Sequence, residues 1–254
     1  MTYALLLTTA AGLATGIGGL AALAVRKPGP RFMGFTLGFS AGVMIHVSFV
    51  ELLLGAIEEM DAAGLSQPFL WAHVAFFGGM LSLFLIDFLV PHDYMNQHDH
   101  TDRQGRMMRT GLLIAFGIGI HNFPEGLATF AGAMKDEKLG AAIAVAIAIH
   151  NIPEGMAVAA PIYSATGSRS KAFLWAFGSG LSEPLGALLA ALILGPFLGP
   201  VMMAVFLAAV AGIMVAISLD ELIPAAKDLE TEHAPMIGVI SGAAVMALSL
   251  WMLK

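Results

Sequence analysis

His121-Asn122-Phe123-Pro124-Glu125-Gly126 and His150-Asn151-Ile152-Pro153-Glu154-Gly155 are two copies of one hexapeptide, starting 29 residues apart. Each lies inside an apolar run, where a histidine and a glutamate have no water to bond. Each run predicts a helix, and in a helix residues i and i+4 share a face. His121 therefore stacks with Glu125, and His150 with Glu154. An imidazole above a carboxylate, presented twice, is a ligand set for a divalent metal. Asn122 and Asn151 stand about 100° around the helix from the histidines. They offer amide oxygens, which harder cations accept. Each proline lacks a backbone N–H and crowds the carbonyl four residues back. Pro124 should free the carbonyl of Ile120, and Pro153 that of Ile149. A membrane tolerates this where the freed group is re-satisfied or lines a cavity. The prolines thus predict a kink that opens each helix beside its ligands.

Composition makes the membrane setting firm. Hydrophobic residues are 58% of the 254 and charged residues 12%, against about 25% charged in a soluble domain. Mean hydropathy is +0.83. There is no cysteine, so disulfides and thiolate ligands are excluded and any metal is held by nitrogen and oxygen.

A helix needs roughly 20 apolar residues to cross the hydrocarbon. Eight runs meet this, at about 3–25, 32–54, 70–90, 110–134, 138–161, 171–194, 200–219 and 235–253. The fold class is therefore all-α, a polytopic membrane protein with eight transmembrane helices. The whole of 1–254 forms a single transmembrane transport domain. The first Lys or Arg is Arg26, so the first run reads as a retained helix, not a cleaved leader. Orientation follows positive charge. Arg26, Lys27, Arg31, Arg103, Arg106, Arg109, Arg169, Lys171 and Lys227 fall on one side, and Lys135, Lys138 and Lys254 on the side of the termini. Both termini are expected outside the cytoplasm.

The polar residues within the spans carry the function. Ionisable groups at mid-membrane are costly, on the order of 3 kcal/mol each on insertion scales. They are kept when paired, protonated or coordinating. Glu183, in Ser182-Glu183-Pro184, falls at the centre of span six and joins the four ionisable residues of the hexapeptides at similar depth. A lone membrane histidine more often packs than ligates. Two His, two Asn and three Glu converging at one depth point instead to a metal path. This donor set suits Zn²⁺, Fe²⁺, Mn²⁺, Co²⁺ or Cd²⁺ without choosing among them. Span two adds His46 and Glu51 as possible pathway residues, with Met44 as a possible soft ligand, although a methionine in an apolar helix usually packs. The segment 91–109 reads as a cytoplasmic loop containing His92, His98 and His100. It is either a solvated polar loop or a weak metal-collecting segment. The stretch Asp220 to Glu232 reads as an acidic, solvated cytoplasmic loop.

These residues resemble those of the ZIP family of divalent metal transporters, of bacterial zinc-transporter type. The likeness rests on the two hexapeptides, on Ser-Gly-Leu-Ser-Glu-Pro-Leu-Gly at 179–186, and on Ala-Gly-Ile-Met-Val-Ala-Ile-Ser-Leu-Asp-Glu-Leu at 211–222. It covers essentially the whole chain. The resemblance implies a ZIP-type bundle with an inverted repeat of helices 1–3 and 6–8 around 4–5. It also implies a binuclear metal centre. His121, Glu125, His150 and Glu154 would form one site, and Asn122, Asn151, Glu154 and Glu183 the other. Uptake into the cytoplasm across a bacterial inner membrane, a homodimer and sliding of a transport bundle are implied as well. Divalent ions and the lipid bilayer are the expected partners, with no nucleic acid and no catalytic cofactor. The competing class is an intramembrane metal-dependent hydrolase, since a bound metal can activate water. No His-Glu-x-x-His motif supports it.

Overall fold

The structure is a computed structural model and describes residues 1–25, 29–89, 103–135, 137–194, 199–229 and 231–253. Among these residues every regular element is helical. Span one is α1 (Thr2–Ala24). Span two is one long rod made of α2 (Pro30–Val47), a π-turn segment (Ser48–Leu53) and α3 (Leu54–Ala62). Span three is α4 (Pro68–Leu89), span four α5 (Arg103–Lys135) and span five α6 (Glu137–Thr166). Span six is α7 (Arg169–Gly180), α8 (Ser182–Leu189) and a π segment (Ala190–Leu194). Span seven is α9 (Pro200–Ile217), a π segment (Ser218–Leu222) and α10 (Ile223–Lys227), and span eight is α11 (Ala234–Leu253).

Six of these helices are long and apolar enough to cross a membrane on length and composition alone. The other two expected spans are α5 and the broken span six, the ones that carry Glu125 and Glu183. Two boundaries correct the sequence reading. Helix α5 begins at Arg103, so the last seven residues of the expected 91–109 loop are helical. Asp220 and Glu221 lie on span seven, not in a solvated loop, because the π segment Ser218–Leu222 carries the helix on into α10. His92, His98 and His100 lie outside the described residues.

The helices sort into two bundles. One is α1, α5, α6, α7 and α8; the other is α2, α3, α4, α9, α10 and α11. Helices α4 and α11 bury only 17% and 28% of their apolar windows, so they are the outermost, and span seven at 61% is central. Close crossings recur in pairs. Gly18 of α1 meets the carbonyl of Ile152, and Gly155 meets that of Thr15; equivalently, Gly186 of α8 meets Phe123, and Gly126 meets Glu183. In the second bundle Gly42 meets Val239 and Gly242 meets Phe39, as Gly212 meets Phe76 and Gly79 meets Ala209. Span one thus maps on six, two on seven, three on eight and four on five. An odd span crosses opposite to an even one, so the repeat is inverted.

Candidate metal centre

Both hexapeptide helices run through their prolines without interruption. The expected opening is not there: α5 and α6 remain helical at Pro124 and Pro153. Span six, where Pro184 follows Glu183, does break. Pro184 cannot donate to the carbonyl of Gly180 and crowds it, and the helix is interrupted at Leu181. The carbonyl of Ser179, left at the break, accepts from Ser182 Oγ at 2.6 Å and from Asn122 Nδ2 at 3.5 Å. The break sets Glu183 in the first turn of α8, facing the hexapeptides.

The terminal glycine of each hexapeptide lets this happen. A Cβ at Gly126 would overlap the carbonyl oxygen of Glu183, and one at Gly155 that of Thr15. Only glycine allows α5 to lie against α8 and α6 against α1 at backbone distance, so that side chains of three helices share one space.

All seven expected ligands, His121, Asn122, Glu125, His150, Asn151, Glu154 and Glu183, are 1% exposed or less. The pairing crosses between helices. His121 Nε2 stands 3.1 Å from Glu154 Oε1, and His150 Nε2 stands 3.4 Å from Glu125 Oε1. The stacking of each histidine on its own helix's glutamate, read from the i,i+4 spacing, gives way to these exchanged pairs. Asn151 Nδ2 donates to the carbonyl of Ala11 at 3.0 Å and to Glu183 Oε1.

What remains unbonded is acceptor-rich. Asn122 Oδ1, Asn151 Oδ1, both oxygens of Glu125, Glu154 Oε2 and Glu183 Oε2 are buried without a hydrogen-bond partner. Among the described residues no lysine or arginine is fully buried. Orphaned buried oxygens cost free energy unless a cation or donor reaches them. This donor set fits a divalent ion. Among the described residues no three His, Asp or Glu side chains are gathered in ligating geometry as they stand; His121 is hydrogen-bonded to Glu154, whereas His150 and Glu125 lie side by side at 3.4 Å without a hydrogen bond.

The span-two candidates separate. Met44 is fully buried in the main apolar cluster. His46 is half-buried. Glu51 is half-buried on the π segment. Two residues escaped the sequence reading. Thr129, one turn beyond Glu125 on the same stripe, is fully buried with an unpartnered hydroxyl. Glu221 is the repeat counterpart of Glu51, in Ser-x-x-Glu-Leu at both 48–52 and 218–222. It lines a narrow cleft of about 40 Å³ with Gly117, Ile120 and Ile217.

The profile of the ZIP zinc transporter family matches residues 91–250. The chain belongs to the ZIP family. It is 52% identical to a zinc transporter ZupT of Chlorobium phaeovibrioides, over 98% of this chain and 97% of that one. It is 51% identical to one of Corynebacterium efficiens, over 98% and 96%, and 50% identical to one of Oceanobacillus iheyensis, over 100% and 98%. These ZIP relatives are named as transporters, not enzymes. A ZIP chain with this helical content is a multi-pass membrane protein.

Proposed function

We propose that the chain carries zinc into the cytoplasm by alternating access, with His121, Asn122, Glu125, His150, Asn151, Glu154 and Glu183 as the transport site. The observation that carries this reading is a sealed charge imbalance. Three carboxylates are buried with two imidazoles and two unpartnered amide oxygens, and among the described residues no fully buried lysine or arginine balances them. Left alone, three such carboxylates would cost roughly 10 kcal/mol on insertion scales. A dication entering the site offsets that cost and releases the His–Glu pairs to ligate it. Glu154 holds His121 with one oxygen and has the other unpartnered. We assign it the bridge between two ions, which leaves the unpartnered oxygens of Glu125 and Glu183 to complete one site each. Zinc is supported by the names of the relatives. Fe²⁺, Mn²⁺, Co²⁺ and Cd²⁺ share the nitrogen and oxygen preference and are the other cargo candidates. Ligands give way to water at each face, and flow ends in the cytoplasm.

The remaining proposals concern setting. Nine of the twelve Lys and Arg residues fall on the side opposite the termini, so both termini face away from the cytoplasm, in a bacterial inner membrane. The protein acts as a homodimer.

The test is uptake of radioactive zinc by proteoliposomes of the full chain and of Glu154→Ala. The parent should accumulate zinc. Glu154→Ala should fall to background while remaining folded, because the change also deletes a buried charge. Normal uptake by folded Glu154→Ala would remove the bridge from the site.

A further inference from the structure

The two bundles meet along α2 on α6 and along α5 on α9. The α2–α6 crossing holds a polar tie. Ser40 Oγ, fully buried, donates its one proton to the carbonyl of Pro153 at 2.6 Å, the carbonyl of Thr36 on its own helix lying farther off at 3.1 Å. Ser48, Ser218 and Ser249 instead turn their hydroxyls back onto their own helices. The Ser40 bond therefore joins the second bundle to the residue next to Glu154.

The repeat gives this bond a counterpart position. Span two maps on span seven with a shift of 170 (30 to 200, 42 to 212, 48 to 218), which takes Ser40 to Val210. Pro153 maps on Pro124 by the hexapeptide shift of 29. Val210 is buried and has no donor. One crossing between the bundles is thus tied and its counterpart is not.

We propose that Ser40 is a positioning residue for transport: its hydroxyl latches the second bundle to the Pro153 carbonyl, and the lack of a donor at Val210 makes the latch one-sided. In an inverted repeat, alternating access exchanges the arrangements of the two halves by moving one bundle against the other. A bond made at only one crossing favours one of the two arrangements. The latch rests on the alternating-access reading but not on the identity of the cargo. A net hydrogen bond shifts such an equilibrium about fivefold.

The absence of cysteine gives a silent background for a thiol reporter. Ala157 is 0% exposed and one turn from Pro153 on the same face of α6. In Ala157→Cys, alkylation by a water-soluble maleimide reads how often the bundles part. The measurement is made on the full chain without added metal, so its outcome is independent of whether zinc is carried. Adding Ser40→Ala should speed labelling about fivefold, and Ser40→Thr, which keeps the hydroxyl, should restore the parent rate. Thermal unfolding of each variant confirms that it is folded. A parent rate in Ser40→Ala overturns the latch, as does an equally raised rate in Ser40→Thr. If Ser40→Ala does not fold, Val210→Ser decides: a donor at the untied crossing should raise labelling, and an unchanged rate overturns the proposal.

Discussion

Spans one and six meet the hexapeptide helices in the same manner, yet one offers Thr15 where the other offers Glu183. Both approach a hexapeptide glycine at backbone distance. Both present a carbonyl to a hexapeptide asparagine, Ala11 to Asn151 and Ser179 to Asn122. Span one is an unbroken helix, whereas span six is interrupted at Leu181 by Pro184. What the halves share is scaffold: glycines at crossings and carbonyls facing amides. What they do not share is charge. A carboxylate at both positions would set four buried anions in one space, and like charges there repel strongly. A single Glu183 adds a carboxylate from the α8 side, and Thr15 adds none from the α1 side.

The largest effect should come from that unshared residue. We expect Glu183→Ala to lower zinc uptake on the order of 100-fold and Thr15→Val, a near-isosteric loss of an unpartnered hydroxyl, to change it less than about threefold. Uptake at equal amounts of folded protein makes the comparison. Equal losses would show that the halves contribute alike to the cargo site. The next effect should be shared. Gly126→Ala and Gly155→Ala each force a methyl into a backbone carbonyl, and each should destabilise the protein by about 1–3 kcal/mol. Thermal unfolding in detergent reads this. A neutral result at either glycine would mean that its helix crossing has slack.

Much of this was legible in the sequence. The apolar runs placed eight spans, and the hexapeptides marked side chains that the structure buries together. The repeat was less visible, although Gly29-Pro30 and Gly199-Pro200 open spans two and seven alike. Its shift is 168 from span one to six (15 to 183, 18 to 186), 170 from two to seven, and 163 from three to eight (76 to 239, 79 to 242). No single offset aligns it, and the shared residues are mostly small ones that any membrane helix contains. The exchange of partners between His121 and His150 was not legible either. A helical period shows which residues share a face, but the distance between two helices decides which carboxylate an imidazole reaches. Proline was an ambiguous signal. Pro184 breaks span six, while Pro124 and Pro153 leave their helices whole. The difference lies with the neighbours: Ser182 Oγ and Asn122 serve the carbonyl exposed at Leu181.

A smaller effect concerns a segment with no counterpart in the other half, the connection between α4 and α5. Replacing His92, His98 and His100 together with Ala should leave most zinc uptake intact, since the proposed transport site is buried within spans four to six. Complete loss at normal expression would place an essential site in that connection.

The smallest effect on zinc should come from the asparagines, which are paired in the repeat but unequal in their bonds. Asn151 is held by two donations, to Ala11 and Glu183, whereas Asn122 has a single long one to Ser179. Both leave an oxygen buried without a partner. An amide oxygen gives little to zinc beside an imidazole and more to a harder ion such as Mn²⁺. Asn122→Ala should therefore change zinc uptake by less than about twofold and lower Mn²⁺ or Fe²⁺ uptake several-fold. Asn122→Asp adds a fourth carboxylate to Glu125, Glu154 and Glu183, so it should tighten binding of every dication and slow release. Asn151→Ala should cost more than Asn122→Ala for all metals, because it also leaves Glu183 without its donor. Isotope uptake of each metal, at equal protein and over a range of concentrations, separates these outcomes. If Asn122→Ala lowers every metal by one factor, the amide serves a step common to all of them, such as the exchange of arrangements, and the two ends of the centre do not divide the cargo between them.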